Sequence, residues 1–333
     1  MRDGIAIAGN LIVDFVKEID VYPSEGMLSN ISNVQMGVGG CAANTSIDLA
    51  KMDGSLRIEV LGMVGDDGNG RYVTDMLQNH GIDIKGVKVN SDTVTSFTDV
   101  MTVSSSKART FFHARGANAV FGLEHIDFDN IQSRFFHIGY ALLLDSFDAP
   151  DPEYGTVMAK TLAQAQQHGL VTSMDVVSED SDRFSGIVTP SLKYCDNLII
   201  NEVEASMIVR KSVRRDGVLD KDALKAVCAA LMEAGVRSRV VIHAPEAACA
   251  MERGGGFVYV PSLKLPAGFI KGTVGAGDAF CAGVLYSLYR DFGLEEALMI
   301  GAGAAASSLS ELNSVDGMKD IKSVRSLVNE YRV

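Results

Sequence analysis

Gly272-Thr273-Val274-Gly275-Ala276-Gly277-Asp278-Ala279-Phe280-Cys281-Ala282-Gly283 joins a run of small residues to a helical pattern, with an acid at the junction. The small side chains of Gly275, Ala276 and Gly277 let backbone N–H groups approach a phosphate closely. A helix starting there adds unpaired N–H donors and a partial positive charge. Asp278 falls in that first turn, where a carboxylate beside an anion cradle can take a proton from an attacking hydroxyl. The physical reading is phosphoryl transfer to an alcohol. The same letters also fit a tight strand-to-helix turn with Asp at a helix N-terminus.

Around this stretch, strand and helix patterns alternate. Strands are expected at Ile5–Ala8, Arg57–Met63, Phe135–Ile138, Leu170–Asp175, Asn197–Ile200 and Val240–His243. Helices are expected at Ala42–Lys51, Gly70–Gly81, Tyr154–His168, Lys221–Ala234 and Gly277–Arg290, with Gly169 and Gly235 as C-caps. Repeated β–α units predict a mostly parallel sheet covered by helices on both faces. Two regions break the rhythm. Phe15–Gly37 holds Pro23 and Gly26, and Thr93–Ala114 alternates as exposed strands around a Ser104–Lys107 hairpin turn. Strands inserted in an α/β core must pack elsewhere, so these segments predict a small β lid over the site.

The chain has 333 residues, 47% apolar and 22% charged, with a formal charge of −12. That charge argues against a general binder of nucleic acid or acidic membranes. Five scattered cysteines without a Cys-x-x-Cys pair predict reduced, buried thiols and a cytoplasmic protein. The histidines show no metal-ligand spacing. No apolar run reaches the roughly 18 residues of a membrane helix, and the N-terminus reads as a first buried strand rather than a signal peptide.

Other residues cluster into candidate sites. Gly39 and Gly40 precede Asn44, whose amide can donate and accept, which suits a sugar hydroxyl; the alternative is a turn with Asn44 as a local cap. Asp14 lies just past the first strand, where α/β ligand sites form, and a carboxylate there can accept two hydroxyl donors; otherwise it is a solvated loop acid. Asn201 and Glu204 follow a strand and share one face of a starting helix, a spacing that also fits a capping box. Asp175 ends another strand. Gly37-Val38-Gly39-Gly40-Cys41-Ala42 and Gly301-Ala302-Gly303-Ala304-Ala305-Ala306 both match a dinucleotide fingerprint, but neither follows the first strand directly.

Taken together, Gly272–Asp278 and Gly39–Asn44 resemble the two signatures of the ribokinase-like (PfkB-type) carbohydrate kinases, and the likeness extends over nearly the whole chain. The resemblance implies a three-layer α/β/α sandwich with a mostly parallel central sheet and a small β lid. It implies a single kinase domain over residues 1–333, with lid segments at 15–37 and 92–115. It also implies an ATP-dependent kinase acting on a hydroxymethyl group of a sugar or sugar-like molecule. Carried over residue by residue, Asp278 is the base and Gly275, Ala276 and Gly277 form the anion hole. Asp14, Gly39, Gly40 and Asn44 bind the acceptor. Asn201 and Glu204 lie near the nucleotide phosphates and Mg²⁺, Glu204 acting through water, and Asp175 lines the same cleft. Arg115-Gly116-Ala117-Asn118 matches the place where the lid rejoins the core. A homodimer through the lid is a further implication.

Three departures stand out. His243-Ala244-Pro245-Glu246-Ala247-Ala248 occupies the place of a glycine-containing nucleotide loop, with Pro where an N–H donor is usual. A late Gly-Ala is not evident in Leu309–Gly317. Gly272 replaces an Asp that ligates a monovalent cation in potassium-activated members, so activity is expected to depend weakly on K⁺. A nucleoside kinase, or a ligand-binding protein that has lost catalysis, remains the alternative.

Overall fold

The computed structural model describes residues 2–179 and 181–333. Its centre is a nine-stranded sheet, in the order Phe257–Pro261, Ala247–Glu252, Arg239–His243, Asn197–Asn201, Val171–Val176, Phe135–Ala141, Ile5–Gly9, Ile58–Gly65, Asp83–Asn90. The strands from Arg239–His243 to Asp83–Asn90 run parallel. The first two in that order, Phe257–Pro261 and Ala247–Glu252, join by antiparallel pairing.

Alternate residues of each parallel strand feed two cores. Ala6, Ala8, Phe136, Ile138, Leu198 and Ile200 enter one. Ile5, Ile7, Phe135 and Ile199 enter the other. A strand buried on both faces is mostly apolar on both, which is why these segments lack a polar alternation. The first core is closed by helices that include Val157–Gln167 and Lys221–Glu233, and the second by Cys41–Met52, Ala276–Tyr289 and Leu294–Ser308. This is the expected three-layer α/β/α sandwich.

Each expected strand and helix is present, with shifts at the ends. Val157–Gln167 starts later than the expected Tyr154 because the Thr156 hydroxyl accepts from the Ala159 N–H and so caps it. The Gly301-x-Gly303 match lies inside the buried helix Leu294–Ser308. There a Cβ on Gly283 would sit 2.8 Å from the Gly301 Cα, so these small residues bring two helices together rather than cradle a nucleotide.

A second sheet of four strands runs Ile31–Gly39, Ile12–Ile19, Phe97–Val103, Arg109–Ala114. The two irregular regions of the sequence thus meet in one sheet, Ile12–Ile19 running parallel to Phe97–Val103. Val34, Met36, Phe111 and Phe112 on it are exposed. No helix among the described residues is long and apolar enough to cross a membrane.

Candidate active site

Parallel strands end together on one edge of the sheet, where ligand sites of α/β proteins form. Asn10, Tyr140, Asp175, Asn201 and His243 stand at or just past those ends. The helix Ala276–Tyr289 begins beside them. Gly275 is its N-cap, with φ 79°, a left-handed conformation that favours glycine. Space demands glycine as well, since a Cβ there would lie 2.6 Å from the Ser314 carbonyl oxygen. The turn so formed leaves the first N–H groups of the helix without intrahelical partners.

Asp278 is the third residue of that helix and only 5% exposed. Each carboxylate oxygen receives one hydrogen bond. The Tyr140 hydroxyl donates to Oδ1 at 2.6 Å and the Asn44 amide donates to Oδ2 at 2.8 Å. Burial pushes the Asp278 pKa up to about 6, against the lowering effect of the Tyr140 bond. A carboxyl so tuned is ionised at neutral pH yet more basic than a solvated aspartate.

Asn44 is therefore not a helix cap, a place taken by Gly40. Its Oδ1 accepts from the Ser314 hydroxyl at 2.9 Å, and that hydroxyl is also 3.0 Å from the Val38 carbonyl. The amide holds the acid in place from one side while the Leu309–Gly317 region braces the amide from the other. Tyr140 is anchored in turn, its N–H donating to Asn10 Oδ1 at 3.2 Å.

Asp14 lies on the strand Ile12–Ile19 of the small sheet rather than in a solvated loop. Its carboxylate occupies the space over Gly39, where any Cβ would overlap it. Burial raises its pKa to about 6, opposed by a hydrogen bond from Thr98. Gly39 leads through Gly40 directly into the helix that carries Asn44. One short segment therefore touches both carboxylates.

Asn201 and Glu204 form a full capping box. Asn201 Oδ1 accepts from the Val203 and Glu204 N–H groups, and Glu204 Oε2 accepts from the Asn201 N–H at 2.9 Å. Glu204 Oε1 also accepts from Asn201 Nδ2 at 2.7 Å and from the Ser178 hydroxyl at 2.8 Å. Burial lifts the Glu204 pKa to about 8. A Mg²⁺ ion takes oxygen ligands and keeps several waters. With both its oxygens used in the box, Glu204 fits such an ion through water and not as a direct ligand.

The segment His243–Ala248 is a tight hairpin, the Ala244 N–H donating to the Ala247 carbonyl at 2.8 Å. Its tip residue Glu246 pairs with Arg214 at 2.6 Å. The His243 ring packs on Phe280, with centroids 4.7 Å apart, and its Cε1 would be 3.6 Å from a Cβ on Gly277. An imidazole thus stands beside the Gly275–Gly277 turn, and burial holds its pKa down at about 4. Gly272 packs against backbone, a Cβ there meeting the Glu311 carbonyl oxygen at 2.8 Å. An aspartate at 272 would need the Glu311–Leu312 chain to move.

Sequence reasoning missed Tyr140, Asn10 and Ser314, and placed His243 only at the start of the altered nucleotide loop. Tyr140 and Asn10 each follow a strand end, the same signal that singled out Asp14. Ser314 carries no motif of its own.

Comparison with known proteins identifies the family and the fold. The pfkB family carbohydrate kinase model matches residues 4–321. The 5-dehydro-2-deoxygluconokinase of Geobacillus kaustophilus is 26% identical over 313 residues, covering 89% of this chain and 85% of its own. The fold is similar to that of Arabidopsis thaliana ribokinase complexed with ribose and ATP (TM-score 0.81, 20% identity, 98% and 99% of the two chains). It is also similar to Methanocaldococcus jannaschii nucleoside kinase (TM-score 0.74, 19% identity, 99% of each chain). With a match that spans nearly its whole length, the chain belongs to the pfkB family of carbohydrate kinases, phosphotransferases that act on an alcohol group of a sugar.

Proposed function

We propose that this protein transfers the γ-phosphoryl group of ATP to a hydroxymethyl group of a sugar or sugar-like acceptor, with Asp278 as general base. The observation that carries the reading is the buried Asp278 carboxylate, held by Tyr140 and Asn44 at the start of a helix whose turn requires Gly275. Each Asp278 oxygen keeps a further lone pair to receive the acceptor proton. As that proton leaves, the acceptor oxygen bonds to the γ-phosphorus and the bond to the β–γ bridging oxygen breaks. N–H groups at Gly275–Gly277 hold the transferring phosphoryl, so positioning and electrostatics supply most of the acceleration. Mg²⁺, when bound, neutralises phosphate charge, with Glu204 and Asn201 as its water-bridged neighbours.

The acceptor belongs against Asp14 and the bare backbone of Gly39 and Gly40. The small sheet serves as a lid over it, and the exposed Val34, Met36, Phe111 and Phe112 offer a face on which a second copy would pair. Asp14→Ala is expected to raise the acceptor KM by about 10- to 100-fold, the range for a lost charge-assisted hydrogen bond, and to leave the ATP KM nearly unchanged. An unchanged acceptor KM would remove Asp14 from the pocket.

ATP consumption across an acceptor panel tests the whole reading. The panel includes ribose, 5-dehydro-2-deoxygluconate, other sugars and nucleosides. Sugar-dependent turnover supports it, nucleoside-dependent turnover makes the protein a nucleoside kinase, and none with any acceptor points to lapsed catalysis. Rates in K⁺ and in a bulky organic cation at constant ionic strength should be similar, because Gly272 offers no side-chain oxygen. Strong activation by K⁺ would mean that carbonyls alone build the cation site.

A further inference from the structure

One helical turn beyond Asp278, three side chains from three elements converge in the interior. His137 comes from the strand Phe135–Ala141, Asp175 from Val171–Val176 and Cys281 from the helix Ala276–Tyr289. We propose that His137, Asp175 and Cys281 form a binding site for a soft divalent cation of the zinc type, separate from the magnesium that accompanies ATP.

The three ligand atoms are spaced as the ligands of a single metal ion are. His137 Nε2 is 3.7 Å from Cys281 Sγ and 3.8 Å from Asp175 Oδ2, and the three ligand atoms all lie within 4.8 Å of one another. The Nε2–Oδ2 separation is too long for a hydrogen bond. Ligands about 2.0–2.3 Å from a tetrahedral zinc lie about 3.3–3.6 Å apart, so small side-chain rotations close the site. On its far side the imidazole is already oriented, Nδ1 being 3.0 Å from the Ser173 hydroxyl. That partner holds the ring, and with the proton on Nδ1 donated to Ser173, Nε2 is the nitrogen left for a metal, the arrangement of metal-ligating histidines.

A second observation points the same way. Asp175 is nine-tenths buried, and its Oδ1 has no hydrogen-bond partner. That oxygen and Cys41 Sγ share the space over Gly139, where a Cβ would overlap the former and lie 2.9 Å from the latter. A buried carboxylate oxygen without a donor is costly, and a cation held at the neighbouring Oδ2 offsets the charge of that under-bonded carboxylate. One carboxylate and one thiolate balance a 2+ charge, so the loaded site is neutral. Nitrogen and sulfur ligands select against Mg²⁺, which prefers oxygen. Binding breaks the Cys281 S–H bond, forms a metal–sulfur bond and releases one proton to solvent; nothing is oxidised or reduced.

Cobalt(II) titration of the full, nucleotide-free chain is the test. One equivalent should produce visible tetrahedral bands and a near-ultraviolet thiolate-to-cobalt band, release one proton, and be displaced by Zn²⁺. Cys281→Ala should lose the thiolate band and bind Zn²⁺ at least about tenfold more weakly against a chromophoric chelator, the loss that even an outer partner causes. Melting temperature serves as its fold control, and Cys281→Ser substitutes if the alanine variant fails to fold. The proposal is overturned if the unmodified protein shows no thiolate band, or if the band persists in Cys281→Ala. It is equally overturned if only Cys228→Ala abolishes the band, because Cys228 and Cys249 form a thiol pair 3.8 Å apart elsewhere in the core.

Discussion

Asp278→Asn lowers kcat by about 10²–10⁴-fold, the usual contribution of a general base, while the KM values for ATP and acceptor stay near those of the unmodified enzyme. The substitution is tolerated locally. The new carbonyl oxygen can accept from Asn44 Nδ2, and the new amide can donate to the Tyr140 hydroxyl, which accepts as readily as it donates. What disappears is the charge and the lone pair that takes the proton. The same acid sets the pH response. Because burial holds the Asp278 pKa at about 6, kcat of the unmodified enzyme should fall as pH drops through that value, and the asparagine variant should lose this limb. Stability should move the other way. A carboxyl whose folded pKa lies above its unfolded one loses stability as pH rises from the unfolded to the folded value. At pH 7 the asparagine variant should therefore melt no lower than the parent. A variant with near-parental kcat, or a parental kcat that is flat across pH 6, would exclude Asp278 as the base.

Gly275→Ala should damage both fold and rate, whereas Gly277→Ala should spare the fold. At 275 the left-handed conformation costs a side chain about 1–2 kcal/mol. Overlap with Ser314 adds about 1–3 kcal/mol more, since the new Cβ would sit 2.6 Å from its carbonyl oxygen. Ser314 braces Asn44, and Asn44 holds Asp278. The displacement therefore reaches the base, and kcat should fall along with the melting temperature. At 277 an added Cβ meets only the His243 ring at 3.6 Å, an ordinary contact. That variant should melt like the parent yet turn over more slowly, because its methyl group would intrude where the proposed transfer brings the phosphoryl group. Thermal melts and kcat for the pair separate the two roles. Equal melting temperatures for both would show that the turn is not under the constraint described.

The layered fold was legible because local signals and global placement agree. Ile5–Ala8 is apolar at every position and Phe135–Ile138 at all but His137, as expected of strands buried on both faces. Gly275–Asp278 was legible for a similar reason, as turn, helix start and acid fall within a few residues. Asn44 and Asp278 were both found, but not the hydrogen bond between them. Sequence shows that an amide can donate, not that its acceptor lies 234 positions away. Ser314 left no trace, since a lone serine in a loop has no period and no motif. Helix Leu294–Ser308 was hidden by its own composition, because Gly301 and Gly303 suggest a phosphate loop when they serve close helix packing. The Asn201–Glu204 spacing fitted both a phosphate site and a capping box, and only the hydrogen bonds reveal that the box is fully formed.

The bonds that hold Asp278 also constrain how an active molecule can arise. Tyr140 is 138 positions away in sequence, Asn44 is 234 away, and Ser314 lies 270 from the amide it braces. Contacts of such separation form after loop-closure entropy has been met, so they belong to the slow, late part of folding. A chain emerging from the ribosome has its parallel strands well before it has Ser314. Helical signal should therefore precede turnover during refolding, and the final residues act as a check on completeness, withholding chemistry from molecules that are compact but unfinished.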